Sequence, residues 1–84
     1  MYDKQIYAPF NREIFKTRLR ECFDNSGFTL PQIAEITGVP LAALQRYLKG
    51  VLPSVIYFTR ICYGLSLDGN YLLQTGKYLI KKEK

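Results

Sequence analysis

Residues 29–50 read TLPQIAEITGVPLAALQRYLKG, and no other stretch constrains the fold as strongly. Thr29 and Gln32 stand at the spacing of a capping box. Pro31 falls in the first turn, where its missing N–H costs nothing. Ile33, Ala34 and either Ile36 or Thr37 supply the apolar face of a helix only two turns long. Gly38 ends it, at a turn that a side chain would strain. A second helix is expected from about Pro40 to Lys49, with Gly50 as its exit. Val39 and Leu44 are placed to lock the two helices together, and Ala34 is small where the second helix crosses the first.

The flanking sequence predicts three more helices. From Asn11, a good N-cap, Ile14, Phe15, Leu19, Cys22 and Phe23 recur at helical spacing. Arg12, Lys16, Arg18 and Arg20 occupy the rest of that surface, and the helix should stop near Asn25-Ser26-Gly27. After the VLPS connector, Ser54 caps a helix carrying Val55, Tyr57 or Phe58, Ile61, Cys62 and Leu65, with Gly64 weakening its end. Ser66 is expected to cap a short fifth helix anchored by Leu67, Tyr71 and Leu72. The division is a 1–10 extension, an 11–76 domain and a 77–84 basic tail. The flanks YDKQIYA and KYLIKK are rich in strand formers and could pair within or between chains, or remain plain tails.

Composition closes off several classes. An 84-residue chain, almost half apolar, supports one packed domain. It has no histidine, and Cys22 and Cys62 form no CxxC pair, so the Cys/His zinc patterns are excluded. Both cysteines sit among bulky apolar residues and read as small core hydrophobes in a reducing compartment. Ser26, Ser54 and Ser66 are explained as turn or cap residues. An enzyme, a cofactor and a metal site are therefore not expected. No apolar run approaches a membrane span, and the first residues do not form a secretory signal. The net charge is +5. Its distribution matters more: no acid lies between Ile36 and Leu67, while Arg46, Lys49 and Arg60 do. Such a field attracts polyanions. Lys77, Lys81, Lys82 and Lys84 either add to it or form a solubilising tail.

Two short helices across a tight glycine turn are the mark of a helix-turn-helix. Residues 14–76 resemble the lambda-repressor-like group, the Cro/repressor domains of phage and bacterial regulators. The resemblance rests on GFTLPQIAEITGV and LQRYLKG for the motif, and on LPS and ICYGLSLDGNYLLQTG for the last two helices. Ala34, Gly38, Val39, Leu44 and Gly50 hold its defining positions. It implies an all-α, five-helix DNA-binding domain with the motif at about 29–49, acting in the cytoplasm. Base edges would be reached by Leu41, Ala42, Gln45 and Arg46. Phosphates would be met at Thr29, Leu30, Lys49 and Arg60. The chain departs from the family at Leu30, where a glutamine is usual, and at Val51 and Leu52, where lysines are frequent.

The residue chemistry is compatible with that assignment. Arg46 can bond bidentately to guanine, and Leu41 and Ala42 can press on thymine methyls. Gln45 can serve a base or a phosphate. Lys49, Arg60 and first-turn amides of the second helix can meet phosphate. Each also has a plainer role: Leu41 can fold onto the domain or fill a protein interface, Arg46 can be an ordinary exposed charge, and Lys49 suits a helix C-terminus without DNA. Tyr47 reads as core. Two functions remain open. The first is a homodimeric transcriptional regulator, a repressor by analogy, on a palindromic double-stranded operator. The second is a protein-interaction or antitoxin-like module whose partner covers Leu41, Ala42, Val51 and Leu52. Whether those four side chains are open or occluded bears on the choice.

Overall fold

Asn11 opens the first helix by turning its side chain back on the backbone, where Oδ1 accepts from the Ile14 N–H at 3.0 Å. The computed structural model describes residues 10–79, and all regular structure among them is helical. The order is α1 (Arg12–Asn25), α2 (Leu30–Thr37), α3 (Leu41–Tyr47), α4 (Val55–Leu65) and α5 (Gly69–Leu73), then one 3₁₀ turn at Gly76–Tyr78. That turn overlaps the start of the KYLIKK flank, which the sequence left open between a strand and a plain tail. Residues 1–9 and 80–84, with the remaining strand expectations and Lys81, Lys82 and Lys84, lie outside the described residues. Phe10, assigned by sequence to an extension, packs its ring on Phe15 at 5.9 Å and belongs to the domain.

Local chemistry sets most helix ends. The α2 capping box is formed in both directions: Thr29 Oγ1 accepts from Gln32 N–H, and Gln32 Oε1 accepts from Thr29 N–H. Gly38 is left-handed at φ 74° and ends α2. Two helices differ from expectation. The third helix is shorter than 40–49: Pro40 stands before its first turn, and Leu48–Gly50 form the turn after it. Ser66 does not open α5. It ends α4 in the left-handed region at φ 55°, while the Leu67 N–H reaches back to the Cys62 carbonyl at 2.8 Å. The cap of α5 is Asp68, which accepts from the Asn70 N–H at 2.9 Å. Ser66 and Asp68 are both good caps, and the left-handed exit used by Ser66 leaves the capping to Asp68.

The core draws on every helix. Phe15, Leu19 and Phe23 come from α1, Ile33 from α2, Leu44 and Tyr47 from α3, Ile61 from α4 and Leu72 from α5. Burying each such side chain contributes about 1.5–3 kcal/mol. On α2 it is Thr37, not Ile36, that turns inward. Its hydroxyl donates to the Ile33 carbonyl at 2.7 Å and accepts from the Val39 N–H at 3.2 Å. One polar side chain thus holds the end of α2 and the turn after it. Val55, read from the sequence as one of the apolar residues carried by α4, is 78% exposed. Gly64 does more than weaken the end of α4. A Cβ there would stand 3.0 Å from Thr37 Cγ2 and 3.3 Å from Ile36 Cγ2, so the missing side chain lets α4 lie against α2.

Three long-range polar joints lock α1 to the later helices. Arg18 Nη1 donates to the Tyr71 carbonyl at 2.7 Å, and its guanidinium lies 4.4 Å from the Tyr71 ring centre. Tyr71 in turn donates its hydroxyl to Glu21, which holds the phenol above its ordinary pKa. Arg20 Nη2 donates to the Leu48 carbonyl at 3.2 Å, just past the end of α3, where a cation is favoured. The third joint is Gln74, buried and left-handed at φ 60°. Its Oε1 accepts from the Asn11 N–H at 2.8 Å and its Nε2 donates to the Asn11 carbonyl at 2.9 Å. Gln74→Ala removes both bonds and leaves the Asn11 N–H without its partner, while the Asn11 carbonyl keeps the Phe15 N–H at 3.1 Å. A loss of about 1–3 kcal/mol is expected in urea unfolding. An unchanged midpoint would mean that water replaces the amide at no cost.

Candidate nucleic-acid interface

The α3 helix is built from one anchored face and one open face. Ala43, Leu44 and Tyr47 are buried, and burial comes first among the causes raising the Tyr47 pKa. Leu41, Ala42, Gln45 and Arg46 are exposed. Their spacing of one and four residues puts them side by side on the outer face. All four expected base-contacting residues are thus brought together, and Lys49 is exposed just beyond the helix. Leu41 is 36% exposed, so it does not fold fully back onto the domain.

The expected phosphate positions fare unevenly. Thr29 is exposed, and its Oγ1 is committed as the α2 cap but keeps a hydrogen to donate. Leu30 is half-buried and packs against the core. Its side chain is therefore a core group, and only its backbone could reach phosphate. The supply of first-turn amides is also smaller than the sequence implied. Pro31 has none and Gln32 N–H is taken by Thr29, so Leu30 N–H is left. Arg60 is exposed, but its guanidinium is placed by two neighbours. It lies 5.7 Å from the Tyr57 ring centre, and Nη1 makes a long 3.5 Å contact with the Gly38 carbonyl. That puts a positive charge beside the turn between α2 and α3.

Sequence reasoning missed two basic residues near this region. Arg20 reaches the carbonyl of Leu48, and the Lys16 stem passes 3.9 Å from where a Cβ on Gly50 would stand. Lys16 is shared with Glu13 at 3.1 Å. Both come from α1, remote in sequence from the motif, and only the approach of α1 to the turn after α3 brings them there.

The apolar positions Val51 and Leu52 are exposed at 48% and 38%. With Leu41 and Ala42, all four side chains of the alternative protein-binding face are open to solvent. Leu52, however, lines a groove with Phe10, Val55 and Leu73 that includes neither Leu41 nor Ala42.

The rest of the described surface offers little chemistry. No group of three or more His, Cys, Asp or Glu among the described residues is placed to hold a metal ion. Cys22 and Cys62 are free and half-buried, and burial is the main cause raising both thiols above the usual cysteine range. No helix among the described residues is long and apolar enough to cross a membrane. Compared with known proteins, the chain matches no family model, no curated protein and no solved structure.

Proposed function

We propose that this chain is a sequence-specific double-stranded DNA-binding regulator of the lambda-repressor-like helix-turn-helix type, with α3 entering the major groove. The supporting observation is the division of α3. One face is fixed in the core by Leu44 and Tyr47, and the other carries Leu41, Ala42, Gln45 and Arg46 outward. A rigid helix with an open face and no acid of its own can lie against phosphates without repulsion. Arg46 supplies the hydrogen-bonded readout, Leu41 and Ala42 the methyl contacts, and Lys49 and Arg60 the phosphate contacts. With few base contacts per copy, a homodimer on a two-half-site operator supplies the remaining affinity.

The test is titration of the protein onto DNA upstream of its own coding region, with a scrambled duplex as control, at low and moderate salt. Tight binding to the first and weak, salt-steep binding to the second supports a sequence reader. Arg46→Ala should then weaken specific binding by about 1–3 kcal/mol and flatten the preference between duplexes. Equal losses on both duplexes would make Arg46 a backbone contact. Failure of the native protein to bind either duplex at low salt would favour the second reading, a protein partner on the Leu41, Ala42, Val51 and Leu52 face. That reading is supported by the exposure of all four side chains.

A further inference from the structure

The leading turn of α3, from Pro40 to Ala43, offers no side-chain hydrogen-bonding group. Pro40 makes no side-chain cap, Ala43 is buried, and Leu41 and Ala42 are left facing solvent. Their placement is firm, because Ala43 and Leu44 beside them are only 3% and 0% exposed. The first polar side chains on the open face come one turn later, at Gln45 and Arg46. The face is also short of acceptors. No carboxylate lies between Ile36 and Leu67. Arg46 and Lys49 carry donors only, so the side-chain acceptor of this face is the Gln45 amide oxygen.

We propose that the start of α3 senses the C5-methyl group of a pyrimidine and not the group beside it, so that 5-methylcytosine serves as well as thymine. The inference rests on the reading of α3 as a major-groove helix and names what its first turn selects. In the major groove, thymine shows a methyl and the O4 acceptor, whereas cytosine shows the N4 amino donor and no methyl. Telling O4 from N4–H₂ takes a donor or an acceptor at that place. A carboxylate is the usual acceptor for N4–H₂, and α3 has none. The side chains of Leu41 and Ala42 neither donate nor accept. The methyl is therefore the one feature of the base edge that they can detect. 5-Methylcytosine carries it on the same ring carbon. Burial of one methyl against this turn contributes about fourfold in affinity. Methylation of a cytosine in the site would then tighten binding, which makes the interface responsive to the methylation state of the DNA.

The experiment begins with selection of duplexes from a random pool by the full chain. Each thymine of the enriched sequence is then replaced by deoxyuridine, which deletes only the methyl. Wherever this weakens binding, cytosine·guanine and 5-methylcytosine·guanine pairs are tested in place of thymine·adenine. Uracil should cost about fourfold at one or more of the thymines. At those positions 5-methylcytosine should bind about fourfold more tightly than cytosine, the same gain that thymine shows over uracil. Leu41→Ala should shrink both gains together while keeping the native circular dichroism, and Arg46→Ala should leave both gains in place. Uracil without effect at every position overturns the inference and leaves the DNA reading standing. A thymine gain that 5-methylcytosine does not share does the same, because the site then reads O4 as well. Gains of full size in Leu41→Ala place the methyl contact elsewhere and also overturn it. A pool from which the native protein enriches no sequence removes the DNA reading and this inference with it.

Discussion

Leu44→Ala is expected to lower the unfolding free energy by about 2–5 kcal/mol. Leu44 is fully buried and shares one core with residues of the other four helices. Its removal leaves a cavity that α3, with only seven residues, has few other contacts to bridge. For a domain of this size the loss corresponds to about 8–40 °C in Tm, against a total stability whose lower range is about 5 kcal/mol. Thermal and urea unfolding measure it directly. Leu41→Ala, three residues earlier on the exposed face, should change stability by only about 0.5 kcal/mol. This pair separates the anchor of α3 from its open face. Equal losses at both positions would mean that Leu41 is packed in solution.

Gly64→Val should be the next most damaging change. The new Cβ meets Thr37 Cγ2 at 3.0 Å, Ile36 Cγ2 at 3.3 Å and Thr37 Cα at 3.5 Å. Overpacking of this kind costs about 1–3 kcal/mol. Thr37 cannot easily step aside, because its hydroxyl is bonded to both Ile33 and Val39. Gly64→Ala should be milder, since a gain in helix propensity of about 1 kcal/mol offsets part of the strain. Urea midpoints for both variants, with the Val39 amide shift as a local reporter, test the point. Native stability in Gly64→Val would show that α2 and α4 can separate without loss.

What could be read from the sequence was mostly local. The α2 capping box, the exits at Gly27 and Gly38 and the inward turn of Tyr47 depend on neighbours within a few residues. The set Leu41, Ala42, Gln45 and Arg46 came from what the family resemblance implied, and their shared outward face on α3 is seen in their exposure. Long-range partners left no such trace. Gln74 finds Asn11 across 63 positions, Arg18 finds Tyr71 across 53, and Arg20 finds Leu48 across 28. Gln74 carries no signal of burial or of a left-handed backbone, since a polar residue after an apolar pair ordinarily reads as surface. Val55 is the converse case: its side chain is apolar, yet it stands at an exposed helix start. At the candidate interface, the inward packing of Leu30 and the placing of Arg60 beside the Gly38 turn needed the tertiary arrangement of α2 and α4.

The Asn11–Gln74 joint gives the domain a topology as well as a contact. The backbone of Asn11 is bonded to the side chain of Gln74 at 2.8 and 2.9 Å, so the two ends of the helical unit meet at one point. The path between them is nearly a closed ring. Such a unit can sit inside another chain as a guest without stretching its host, because entry and exit share one doorway. A tension applied at Asn11 and Gln74 loads this clasp before it reaches the helices.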